Sequence, residues 1–263
     1  MDYDPLRRGF AEFVGTFALI FVGAGSILAL TALFEPAITN SASQGVYGGL
    51  TLVSVAFAHG LVIAVMVSAM GHISGGHFNP AVTLGFVVTR RIAGMLALVY
   101  WSMQFLGATA AALLLRWFFS EHVRQLTNLG TPGIGGGIDH WQGLVIELIL
   151  TFFLVWVVFA TAVDPGGTFK SIAGLAIGLT ITLDIFMGGP VTGAAMNPAR
   201  AFGPELVSRH WDDAWVWYVG PFVGGALAAL AYDWLYLRPP RPLPVGPPES
   251  GVLEPRPGDT AVS

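Results

Sequence analysis

Apolar residues run almost unbroken through six stretches of the chain, at about 9–32, 48–70, 94–118, 142–163, 171–188 and 214–236. A helix needs roughly 20 apolar residues to cross a bilayer, so each stretch predicts a transmembrane helix, the fifth near the lower limit. Two further apolar runs are shorter and begin alike, at Asn79-Pro80-Ala81 and Asn197-Pro198-Ala199. Asn followed by Pro and then by helix formers reads as an N-cap with Pro at the first helical position. After Asn79 the run meets Arg90-Arg91 within about half of a crossing length. A half-helix inside a membrane puts its N-terminal dipole, roughly +0.5 charge, at mid-depth, where it is tolerated only beside a wet cavity. The pattern therefore predicts an all-α membrane protein with six transmembrane helices plus two re-entrant half-helices around a pore.

The halves repeat. Glu12, Thr16 and Leu19 in the first span return 135 residues later as Glu147, Thr151 and Leu154 in the fourth, and Phe105-x-Gly107 returns 117 residues later as Phe222-x-Gly224. Three spans plus one half-helix make a unit, over about 9–118 and 142–236. An odd number of spans inverts the second copy, so the half-helices enter from opposite faces and meet at Asn79 and Asn197. Small residues in spans three and six (Gly107, Ala108, Gly224, Gly225) suit close helix crossings.

Composition agrees with a membrane: 54% of residues are hydrophobic, 11% are charged, and mean hydropathy is +0.68. The net charge of −4 forms no basic cluster suited to nucleic acid. No cysteine is present, which excludes disulfides and Cys metal sites and predicts insensitivity to mercurials. Arg7, Arg8, Arg90, Arg91, Lys170, Arg238, Arg241 and Arg256 flank one face, against Arg116, Arg124 and Arg209 on the other, so both termini are expected in the cytoplasm. No cleaved signal peptide is read at the start. Residues 1–8 read as a cytoplasmic N-terminus, 9–236 as the channel domain, and 237–263, rich in Pro with a Pro-x-x-Pro spacing at Pro239 and Pro242, as a disordered cytoplasmic tail.

Each Asn carboxamide can cap its helix with its oxygen while its NH2 points into the lumen. Two such donors would occupy both lone pairs of one water oxygen and break the hydrogen-bonded wire, while the two dipoles oppose cations. Gly75, Gly76, His77 and Phe78 before the first Asn, and Gly193, Ala194, Ala195 and Met196 before the second, are expected as extended backbone whose carbonyls form a ladder of acceptors along the pore. Glu12 and Glu147 are intramembrane carboxylates, read as static acceptors for the backbone of the pore loops rather than as proton relays. His72 and His77 have no carboxylate or Cys nearby to complete a metal site and read as loop packing near the inner mouth. Asp184 is expected to pair with another helix.

The paired Asn-Pro-Ala boxes, the preceding Ser74-Gly75-Gly76-His77, and Arg200 three residues after the second Asn resemble the major intrinsic protein (aquaporin) family from about Phe10 to Tyr236. The resemblance implies the aquaporin-like inverted 3+3 fold, a homotetramer, no cofactor, and a constriction carried over as His59, Ile185, Ala194 and Arg200. Water-strict members would have Phe, His and Cys at the first three; this set is similar instead to the plant vacuolar (tonoplast) and ammonia-permeable branches. Glycerol facilitators have Asp directly after the Arg and a Pro-Leu pair in span six; here Ala201 and Trp217-Tyr218 look water-type, and Glu205 fits neither subgroup. The implied function is a passive pore for water and small neutral solutes (ammonia, hydrogen peroxide, urea) in the cell membrane, plasma or inner, excluding protons and ions. The alternatives are a glycerol facilitator, an intramembrane enzyme using His59, Glu12 or Glu147, a scaffold that keeps the pore fold, or a coupled transporter. Against the enzyme, no nucleophile is paired with a base.

Overall fold

The computed structural model describes residues 3–167 and 170–238, and among these it is helical with no strand. The Pro-rich tail beyond Arg238, including Pro239 and Pro242, lies outside the described residues. Among the described residues five helices are long and apolar enough to cross a membrane: Pro5–Ala37, Ser41–Ser74, Gly94–Phe118, His140–Val163 and Ala173–Thr192. The sixth span, Val216–Tyr232, has 17 residues and continues through a π turn at Asp233–Leu237, where Asp233 interrupts the apolar run. The half-helices are Pro80–Val88 and Pro198–Ser208, each too short to cross.

The first two spans start earlier than their apolar runs because polar caps lie upstream. Asp4 accepts from Arg7 N at 2.9 Å, and Asn40 forms a capping box with Ser43, so the helices begin at Pro5 and Ser41. Asp139 and Gln142 box the fourth span in the same way.

Packing follows the repeat. Span one lies on span three, four on six, and two crosses five. Gly107 sits against the carbonyl of Phe13, and Gly224 against that of Leu148, so the same glycine seam closes both halves. Gly60 and Gly178 face each other's backbone where spans two and five cross, and a side chain at either would displace the other helix. Without a hydrophobic force between helices in lipid, this close van der Waals approach holds the bundle. Leu33, Val46, Leu106, Val145 and Phe153 point outward and are exposed, as an apolar belt in lipid requires.

Candidate functional site

The half-helices meet tip to tip. Asn79 caps its own helix, its Oδ1 accepting from Ala81 N at 2.8 Å; Asn197 Oδ1 accepts from Ala199 N at 3.0 Å and Arg200 N at 3.3 Å. The amides then cross: Asn79 Nδ2 donates to the Met196 carbonyl at 2.8 Å, and Asn197 Nδ2 to the Phe78 carbonyl at 2.9 Å. The expectation that the whole NH2 faces the lumen therefore holds for only one of its two hydrogens; the other locks each tip to the opposite loop.

The sequence suggested extended loops before the boxes, and most of their residues are instead left-handed. Gly75 (φ 97°), Gly76 (66°), Phe78 (48°), Gly193 (78°), Ala194 (43°) and Met196 (51°) are left-handed, because the chain must leave a span and re-enter as a half-helix within a few residues. Non-glycine residues disfavour this region by roughly 1–2 kcal/mol, so something has to hold it. Glu12 and Glu147 do. Glu12 Oε1 accepts from Ser74 Oγ at 2.6 Å and His77 N at 3.0 Å, and Oε2 from Phe78 N at 2.6 Å. Glu147 Oε1 accepts from Thr192 Oγ1 at 2.7 Å and Ala195 N at 2.9 Å, and Oε2 from Met196 N at 2.8 Å. Both carboxylates are fully buried. All their partners are donors, so each acts as a static acceptor.

Two groups in this frame, Tyr100 and Gln104, were not singled out from sequence, and Trp217 was read there only as a subgroup marker. Tyr100 OH donates to the Ser74 carbonyl at 2.5 Å, and Trp217 Nε1 donates to that of Thr192 at 2.9 Å. The two stand 117 residues apart, the spacing already visible between Gly107 and Gly224. Gln104 Nε2 adds a fourth donor to Glu12 at 2.8 Å; Pro221 stands at its repeat position and offers none.

A narrow lumen runs past these tips, lined by Asn79, Asn197, Ile177, Ile181 and Val158 among others. A wider vestibule adjoins it, and His59, Ile185 and Arg200 line both cavities, with Ala194 on the lumen side. The four constriction candidates are thus brought together, three of them at the junction. His59 Nδ1 lies 2.9 Å from the Val55 carbonyl and so carries the hydrogen, leaving Nε2 without a protein partner. Arg200 Nη1 donates to the Gly130 carbonyl at 2.7 Å, and its Nε is unpartnered. Of the predicted ladder, the Phe78 and Met196 carbonyls are taken by the crossed amides. Those of Gly75, Gly76, His77, Gly193, Ala194 and Ala195 accept from no described residue.

The remaining polar residues divide. His77 is buried, with Nδ1 3.0 Å from Thr83 Oγ1 and its ring on Phe86; His72 meets Tyr3 edge-on. Among the described residues no group of three or more His, Asp or Glu could hold a metal ion. Asp184 is buried and, contrary to expectation, its Oδ2 has no partner on another helix. Glu205, fully buried in the second half-helix, accepts from Tyr218 OH at 2.6 Å.

A family profile described as Major intrinsic protein matches residues 2–232. This chain belongs to the major intrinsic protein family. It is therefore a membrane channel and not an enzyme. Among curated relatives of this family, "Probable aquaporin TIP3-2" of Arabidopsis thaliana is 45% identical over 239 residues, 89% of this chain and 85% of the relative. "Aquaporin TIP4-4" of Zea mays is 42% identical over 241 residues, 90% of this chain and 89% of the relative. A solved aquaglyceroporin from Plasmodium falciparum matches with a TM-score of 0.73 at 24% identity, covering 88% of this chain and 97% of that one, a likeness of fold.

Proposed function

We propose that this chain forms a passive pore for water and for small neutral solutes such as ammonia, hydrogen peroxide or urea, and that it excludes protons and ions. One observation carries the reading: two capping asparagines, hydrogen-bonded across to each other's loops, line a single lumen at the tips of two inward-pointing half-helices. The free hydrogen on each amide orients a passing water, and the two dipoles oppose cations at that depth. His59, Ile185, Ala194 and Arg200 form the neck. The aquaporin names of the relatives support water over glycerol.

Stopped-flow permeability of purified protein in liposomes tests this; water, urea and ammonia fluxes no higher than in empty vesicles would overturn it. A narrower test concerns the neck. His59→Phe loses the Nδ1 tie to Val55 and adds bulk, and is expected to cut urea flux several-fold more than water flux; equal losses would place His59 outside the filter.

The reading extends to a homotetramer with the channel domain at 9–236, a Pro-rich tail at 237–263 and both termini in the cytoplasm, supported by the distribution of Arg and Lys. The protein is an integral multi-pass membrane protein; its TIP-type relatives lend no support to the cell membrane over an internal one. Chemical crosslinking in detergent and protease protection of tagged termini test these points.

A further inference from the structure

The π turn in the first span ends against the constriction. The turn spans Leu19–Ala24, and inside it the Gly23 carbonyl accepts from Ser26 Oγ at 2.6 Å. A Cβ placed on Gly23 would lie 2.6 Å from His59 Cδ2, 2.7 Å from Nε2 and 2.9 Å from Cγ, with no other side chain as near. Non-bonded carbons settle about 3.5–4.0 Å apart, so the imidazole edge already fills the space that a side chain at this position would take. On its other edge the ring is tied by Nδ1 to the Val55 carbonyl. It cannot move outward along its own helix without breaking that bond; the open direction is the lumen it lines.

We propose that Gly23 is a specificity-determining position: its missing side chain is the slot that keeps the His59 ring out of the lumen and so sets the bore of the neck. The proposal rests on the pore reading above. The inverted repeat supports it independently. Gly23 corresponds to Val158, 135 residues on, and His59 to Ile177, 118 residues on, the spacing of the two Asn-Pro-Ala boxes. Val158 and Ile177 both line the lumen. At one end of the pore the neighbouring spans contribute nothing and an imidazole; at the other they contribute two branched aliphatics. Volume has moved from one span to the next, and the exchange is what lets a ring stand at the outer neck at all.

The test is a double-mutant cycle in liposomes, with water and urea flux read beside the thermal midpoint of each protein. Gly23→Ala alone is expected to push the ring inward and cut water flux about tenfold, the kind of overpacking that well-filled sites do not absorb. On a His59→Ala background the same change is expected to alter water flux less than about twofold, since the ring it would displace is gone. Should Gly23→Ala fail to assemble while Gly23→Ala with His59→Ala does assemble, the clash is again with the ring and the proposal stands. Equal losses in both backgrounds, no loss in either, or failure of both to assemble would overturn it. Wild-type flux equal to that of empty vesicles would instead defeat the pore reading itself, so the two failures are distinct.

Discussion

Glu12→Leu is expected to abolish stable assembly, and to do so more severely than Glu147→Leu. Four donors converge on Glu12: Ser74 Oγ, His77 N, Phe78 N and Gln104 Nε2. Three converge on Glu147: Thr192 Oγ1, Ala195 N and Met196 N. Each buried donor left without a partner costs about 1–3 kcal/mol, and the loop loses the acceptor that holds its left-handed residues. The sum is several kcal/mol against a total stability of roughly 5–15 kcal/mol. Glu12→Gln should lie between, because one of its two amide positions accepts but the other presents N–H groups to donors. Thermal midpoints in detergent, with gel filtration for monodispersity, give the order: wild type above Glu12→Gln above Glu12→Leu, and Glu147→Leu above Glu12→Leu. A midpoint for Glu12→Leu within a degree or two of wild type would remove the carboxylate from the structural role given to it here.

Arg200→Val is expected to have the largest effect on selectivity. The guanidinium is buried at the junction of lumen and vestibule, spends one donor on the Gly130 carbonyl at 2.7 Å, and keeps Nε free. Its removal takes a fixed positive charge and several donors out of the neck and widens it by most of a side chain. Urea permeability should rise about tenfold relative to water, a change of roughly 1.4 kcal/mol in the barrier. A proton leak should appear, because only the helix dipoles at the tips then oppose hydronium. Urea and water flux by stopped flow, with an interior pH dye for protons, measure both. An unchanged urea-to-water ratio and a tight proton barrier would mean that the neck lies elsewhere.

The architecture was legible because each of its parts leaves a mark on one strand of sequence. Apolar length marked the spans, Asn-Pro marked the half-helices, and the return of Glu12 as Glu147 marked the inversion. What was not legible depends on the two halves touching. Nothing in Asn79 says that its amide will find the Met196 carbonyl, 117 residues away, or that Phe78 and Met196 will take up left-handed backbone to offer those carbonyls. Tyr100 and Trp217 could have been found by applying the 117-residue spacing to every polar aromatic; being different residue types, they did not look like a repeat. Gln104 and Pro221 at one repeat position show where the symmetry fails, and only the donor count on Glu12 reveals why. Asp184 looked like half of an interhelical pair, yet its Oδ2 meets no partner.

The crossed amides also constrain biogenesis. The acceptor for Asn79 lies in a loop that the ribosome has not yet made when the first three spans are threaded into lipid. Until the second half arrives, the first re-entrant segment has an unsealed end, and a chain truncated after the third span is a nascent intermediate that cannot finish itself. The bond that joins the two tips therefore cannot form until the loop ending at Met196 has been made, and it stands at the depth where the lumen runs past both asparagines.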